Sequence, residues 1–179
     1  MDPVAIHDQY RDRAGQPYGV RDAEAGDASA LIDLINQVGQ EEIFIADERA
    51  MVTLEQQQAV IQHHDPAIQL ILVACRNHHI LGSLEMVRGT LRKNRHTAIF
   101  GMALSAEFRG FGIGRGLLSS GERWAKALGV EKISLAVFAT NMRAIRLYQS
   151  LGYREEARRY GQYRLEGQLV DEIWMARWL

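Results

Sequence analysis

Gly110, Gly112 and Gly114 alternate with Phe111 and Ile113 directly after Arg109. The apolar run 99–104 ahead of them reads as a strand and the stretch 115–128 behind them as a helix, so the glycines occupy a strand-to-helix turn. Such a turn leaves several backbone N–H groups without partners at a helix N-terminus, where aligned peptide dipoles add partial positive charge. That arrangement suits a phosphate or diphosphate. Two common phosphate chemistries do not fit. A nucleoside-triphosphate loop needs Lys and then Ser or Thr after its last glycine, whereas Gly114 is followed by Arg115 and Gly116. A dinucleotide fingerprint needs G-x-G-x-x-G near the first strand of a βαβ unit, whereas these glycines recur at every second residue past the middle of the chain.

A second segment narrows the reading. Asn141 is a good helix cap, Ile145, Tyr148 and Leu151 share one helix face, and Gly152 is a C-terminal stop. The run 132–137 ahead of it reads as a strand. In Arg109-x-x-Gly112-x-Gly114 and Asn141-x-x-Ala144-x-x-Leu147-Tyr148-x-x-x-Gly152-Tyr153, the chain resembles the GCN5-related N-acetyltransferase superfamily, with both motifs in order and at the usual separation. The resemblance implies an α/β fold of the α+β type. Its central mixed sheet is mostly antiparallel and flanked by helices, and the fourth and fifth strands splay apart. It also implies acetyl-CoA as co-substrate, its thioester in that gap. Main-chain groups of Met102, Ala103 and Leu104 then pair with the pantetheine arm. N–H groups of Arg109, Gly110, Phe111, Gly112, Ile113, Gly114 and Arg115 hold the pyrophosphate. Arg109 either shapes the turn or faces the phosphates, and Arg115 is a phosphate contact or a solvated first-turn residue. Asn141 is a cap alone or also a contact to the cofactor arm.

The implied chemistry is attack by a neutral amine on the thioester carbonyl, amide formation and release of the thiol. A main-chain N–H near Leu104 polarises the carbonyl. Tyr148 occupies the family's general-acid position, its bland alternative being a buried helix tyrosine. A base is also required, because an alkylammonium is mostly protonated at neutral pH. Many relatives carry a glutamate on the fifth strand, where this chain has Ala136. The remaining candidates are Glu85, His96, Asp171 and Glu172, acting directly or through water. The histidine pairs 63–64 and 78–79 lack metal-ligand spacing, so no metal is expected.

The surrounding elements follow from pattern. Residues 1–17 read as a polar N-terminal arm, and 18–179 as one domain. After a first strand from Tyr18, Asp27 caps an amphipathic helix to about Val38. An irregular segment follows with acidic Glu41, Glu42, Asp47 and Glu48. Thr53 and Gln56 form a capping box for a helix to about His64. Strands are expected over 68–76, 80–87 and 96–104. A closing hairpin has arms 155–165 and 168–178 that meet at Glu166-Gly167. Cys75 reads as a buried small hydrophobe without a catalytic role.

A chain of 179 residues suits a single core. With 21 basic and 22 acidic residues and a net charge of −1, a general nucleic-acid binder is disfavoured. No run reaches membrane-span length and the N-terminus lacks a secretory hydrophobic stretch, so a cytoplasmic location is the default. The acceptor is expected to be a small-molecule amine or a peptide N-terminus. The acidic cluster suits a cationic amine, and Arg92, Lys93 and Arg95 suit an anionic partner. Trp174 and Trp178 share one face of the last strand with Ile173 and Met175 on the other, a pattern compatible with a homodimer. Two alternatives stand beside the enzyme reading: a catalytically silent acyl-CoA-binding module, and a toxin-like acetyltransferase of charged transfer RNA.

Overall fold

The computed structural model describes residues 5–41 and 49–179. Eight strands form one sheet: β1 (His7–Arg11), β2 (Pro17–Asp22), β3 (Gln69–Arg76), β4 (His79–Arg88), β5 (Thr97–Leu104), β6 (Lys132–Phe138), β7 (Arg154–Leu165) and β8 (Gln168–Trp178). Their spatial order is β1-β2-β3-β4-β5-β6-β8-β7. Every neighbouring pair is antiparallel except β5 and β6. The helices are α1 (Ala28–Gln40), α2 (Leu54–His63), α3 (Ile113–Ala127) and α4 (Met142–Ser150).

Residues 7–11 differ from the expected polar arm, for they form β1 and pair with β2 from His7↔Arg21 to Arg11↔Pro17. Their half-exposed alternation carries little apolar signal. What fixes the strand is distant: Asp8 accepts from Ser120 and Arg123 of α3, and the Tyr10 ring stacks on Tyr18 at 5.6 Å. Asp27 gives α1 no side-chain cap, because its carboxylate holds Arg21 in a bidentate pair at 2.6 and 2.9 Å and accepts from the Glu24 N–H at 2.8 Å, closing the short helical turn ahead of α1. The Thr53–Gln56 capping box forms as its residue types require. Cys75 is half-buried rather than enclosed.

Strand alternation divides the apolar residues between two faces. Leu72, Leu84, Phe100, Leu135 and Met175 meet α3 and α4 in the larger core, whereas Ile71, Val73 and Ala103 meet α1 and α2 in a smaller one. The closing hairpin turns at Glu166 and Gly167, both at positive φ, as a two-residue turn with right-handed strand twist needs.

Gly82 stands opposite Leu104 at the end of β5. A Cβ there would lie 2.3 Å from Leu104 Cδ2 and 2.8 Å from the Ala103 carbonyl oxygen, while one at Gly26 would meet nothing within 4 Å. Gly82→Ala is expected to cost about 1–3 kcal/mol in denaturant unfolding through overpacking, and Gly26→Ala to remain within about 0.5 kcal/mol of the parent.

Candidate active site

Strands β5 and β6 pair for only three positions, Thr97↔Lys132, Ala98↔Ile133 and Ile99↔Ser134. Beyond them β5 stays paired with β4 to Leu104, and β6 stays paired with β8 to Phe138. Each strand thus keeps one ladder and loses the other, leaving main-chain polar groups facing a gap. A cleft of about 620 Å³ passes through it. Met102, Ala103, Leu104, Ala136, Val137 and Phe138 line its middle, and the glycine turn and α4 line one end.

At that end Gly110 and Gly112 hold φ of 89° and 92°, the left-handed region that favours glycine. The chain thereby turns sharply into α3. The N–H groups of residues 111–114 have no acceptor among the described residues, and the helix dipole adds to them, so the turn can hold an anion. Gly114 fits closely, since a Cβ would come within 3.1 Å of Met102 Cε. Ile113 is buried, whereas Phe111 is 40% exposed and its side chain does not line the cleft.

Arg109 lines the cleft, and its side chain reaches back to the end of β5. Its Nε donates to the Leu104 carbonyl at 2.9 Å, and its two terminal nitrogens grip Glu41 at 2.7 and 2.5 Å. The guanidinium therefore ties the end of β5 to the end of α1. Glu41 is occupied by this pair, while Glu42, Asp47 and Glu48 lie outside the described residues. Arg115 lines the cleft and donates to Ser150 Oγ at 2.8 Å. Asn141 Oδ1 caps α4 by accepting from Ala144 N at 3.1 Å, and the residue also lines the cleft.

Tyr148 lies beneath the gap, 6% exposed, with its ring edge-on to Phe100 at 5.7 Å. Burial pushes its phenol well above the ordinary tyrosine value, keeping it neutral and a donor. Its hydroxyl has no partner within the described protein. Because every fully enclosed side-chain polar atom among the described residues is partnered, that hydroxyl opens to the cleft.

The candidate bases separate by position. His96 is not brought to the gap. It sits just before β5, at the end where β5 and β6 still pair, roughly 25 Å along an extended strand from Leu104. Its carbonyl serves Glu131 and Lys132 N–H groups. Asp171 is held by Arg158 and the Gly161 N–H, away from the cleft. Glu85 stands opposite Gly101 on the face covered by α1 and α2. It accepts from Gln69 Nε2 at 2.7 Å and lines a second cavity of about 240 Å³ with Leu31, Ile35, Gln57 and Ser83. Gly101, Met102 and Ala103 line both cavities.

Glu172 is the cleft's buried carboxylate, 5% exposed. It accepts from Tyr163 Oη at 2.8 Å, Trp174 Nε1 at 2.7 Å and Arg159 Nη1 at 3.0 Å. Burial alone would raise its pKa, but these donors outweigh it and hold the group below the usual carboxylate range. Its role as a proton acceptor is thereby weakened, and it orders the wall formed by β7, β8 and the Phe138–Tyr163 ring pair. Sequence patterns did not point to Arg13, Arg143 and Arg146, which also line the cleft. The last two carried a readable sign in their i, i+3 spacing behind the Asn141 cap. No group of three or more metal-ligating side chains occurs among the described residues.

A sheet parted at one parallel pair, with a glycine turn at the mouth and a neutral tyrosine in the gap, defines an acyl-transfer architecture. The Acetyltransferase (GNAT) family model matches residues 32–153, and the chain belongs to this family of acyltransferases. It is 34% identical over 73 residues to the uncharacterized N-acetyltransferase YdgE of Bacillus subtilis, covering 41% of this chain and 46% of that one. It is 28% identical over 110 residues to the L-amino acid N-acetyltransferase AaaT of Escherichia coli, covering 59% of this chain and 66% of that one. The chain thus spans less than two thirds of either relative. The structure of yncA, a putative acetyltransferase from Salmonella typhimurium with its cofactor acetyl-CoA, superposes with a TM-score of 0.80 at 22% identity, covering 89% and 92% of the two chains.

Glu172→Gln is expected to lower stability at neutral pH by about 1–3 kcal/mol, since it leaves Arg159 without its charge partner. A depressed folded-state pKa stabilises above the unfolded value and ceases to do so as pH falls through the folded value. Unfolding midpoints of parent and variant should therefore converge on acidification.

Proposed function

We propose that the protein transfers an acetyl group from acetyl-CoA to a primary amine, of a small molecule or a peptide N-terminus, by direct attack in a ternary complex. The observation that carries this reading is the gap between β5 and β6, which opens on both faces of the sheet. Its α3–α4 side suits the cofactor: the turn's N–H groups take the pyrophosphate, and the unpaired edge of Met102–Leu104 takes the amide-rich arm. That the Salmonella typhimurium neighbour holds acetyl-CoA supports acetyl-CoA as the ligand. The cofactor supplies an electrophilic thioester carbonyl.

The acceptor approaches from the α1–α2 side through the cavity beside Glu85. Gly101 and Ala136 stand two positions beyond the last β5–β6 pair, and neither carries more than a methyl group into the passage; a Cβ on Gly101 would meet nothing within 4 Å. Glu85, directly or through water, takes the ammonium proton, so a family glutamate at Ala136 is dispensable. The amine nitrogen then bonds to the carbonyl carbon, a main-chain N–H near Leu104 steadies the developing oxyanion, the carbon–sulfur bond breaks, Tyr148 protonates the departing sulfur, and the second proton leaving the nitrogen restores the Tyr148 phenol through water. AaaT is named for L-amino acid acceptors, which supports trying small amino compounds first.

Thiol release from acetyl-CoA with a panel of amino acids, polyamines and peptides tests this scheme. Tyr148→Phe should lower kcat by about 10²–10⁴-fold with cofactor affinity kept. Glu85→Gln should lower it at neutral pH and recover toward the parent at alkaline pH, where the amine deprotonates unaided. Binding of acetyl-CoA without release to any acceptor would favour a silent binding module.

A further inference from the structure

The N-terminal hairpin lies ahead of the family-matched segment 32–153, yet its turn is seated on the glycine loop. Arg13 N–H donates to the Phe111 carbonyl at 2.8 Å, and Arg13 Nη1 donates to the Gly110 carbonyl at 3.1 Å. A Cβ on Gly112 would touch Arg13 Cγ at 3.7 Å, so the side-chain stem lies along the loop. The hairpin turn is itself rigidly held. Asp12 accepts from the N–H groups of Ala14 and Gln16, both at 2.9 Å, and from Arg76 of β3 at 2.6 Å. From α4, Arg143 Nη2 would stand 3.4 Å from a Cβ on Gly110. Two guanidinium groups from opposite ends of the chain thus converge on one glycine at the mouth of the cleft. Neither makes an ion pair among the described residues, whereas Arg76, Arg109 and Arg177 each hold a carboxylate.

Two unpaired guanidinium groups held together call for a ligand of more than one negative charge. The loop's own N–H groups already serve the diphosphate, and the two arginines stand outside them, exposed at the rim. A terminal phosphate monoester, with a charge of about −1.5 to −2, matches that place. We propose that the N-terminal hairpin is part of the cofactor site and that Arg13, facing Arg143 across Gly110, binds the 3′-phosphate of coenzyme A. This inference rests on the acetyl-CoA reading above.

Calorimetric titration of the full chain with acetyl-CoA and with its 3′-dephospho analogue tests it. The parent should bind acetyl-CoA about tenfold or more tightly than the analogue. Arg13→Gln should collapse that ratio to about twofold while leaving affinity for the analogue unchanged, and Arg13→Lys should retain most of the ratio. Equal weakening toward both ligands, or an unchanged ratio in Arg13→Gln, would overturn the assignment. Parent protein that binds both ligands equally would overturn it as well, and parent protein that binds neither would instead remove the acetyl-CoA reading beneath it.

Discussion

Strands β5 and β6 share three residue pairs and then separate while each remains fully laddered on its outer side. A sheet ordinarily satisfies its backbone polar groups by continuing to pair. Here the two inner edges are left to be satisfied by something else, and the neighbouring features make sense as supports for that opening. Phe100 packs edge-on against Tyr148 and Tyr153 beneath it, and this close packing opposes collapse of the opening. Arg109 braces the free end of β5 against α1 through Leu104 and Glu41, and the triply bonded Glu172 braces the wall beyond β6.

The opening also explains how one cleft can serve two reactants. Alternation along a strand sends successive side chains to opposite faces. The same few residues of β5 therefore present Phe100 and Met102 toward α3 and α4, and Gly101 and Ala103 toward α1 and α2. A thioester lodged in the gap is reachable from the far face where Gly101 and Ala136 leave room. The carboxylate that lines that entry is Glu85 of β4, two strands across the sheet from Ala136 of β6. In the proposed scheme the base stands on β4, while β5 and β6 form the gap.

Much of this was readable in the chain because it is local. The glycine turn, the Asn141 cap, the Thr53 box and the Glu166-Gly167 hairpin are each specified by residues within a few positions of one another, and their types carry the geometry. The parts that were not readable depend on long-range partners. Strand β1 has little apolar periodicity and is fixed by Tyr18, Ser120 and Arg123. Arg109 finds Glu41 across 68 positions, and Arg13 finds Gly110 across 97. His96 and Glu85 are equally plausible proton acceptors by type. Only the direction in which β5 runs shows that His96 belongs to the closed end and Glu85 to the open one.

The central claim is that the unpaired edge of β5 and the glycine turn are completed by the cofactor. Amide hydrogen exchange with and without acetyl-CoA measures those N–H groups directly. Slowed exchange in 102–104 and 111–114, with the β3–β4 ladder unchanged, is the predicted result. Binding that leaves both segments exchanging at the free rate would contradict the account.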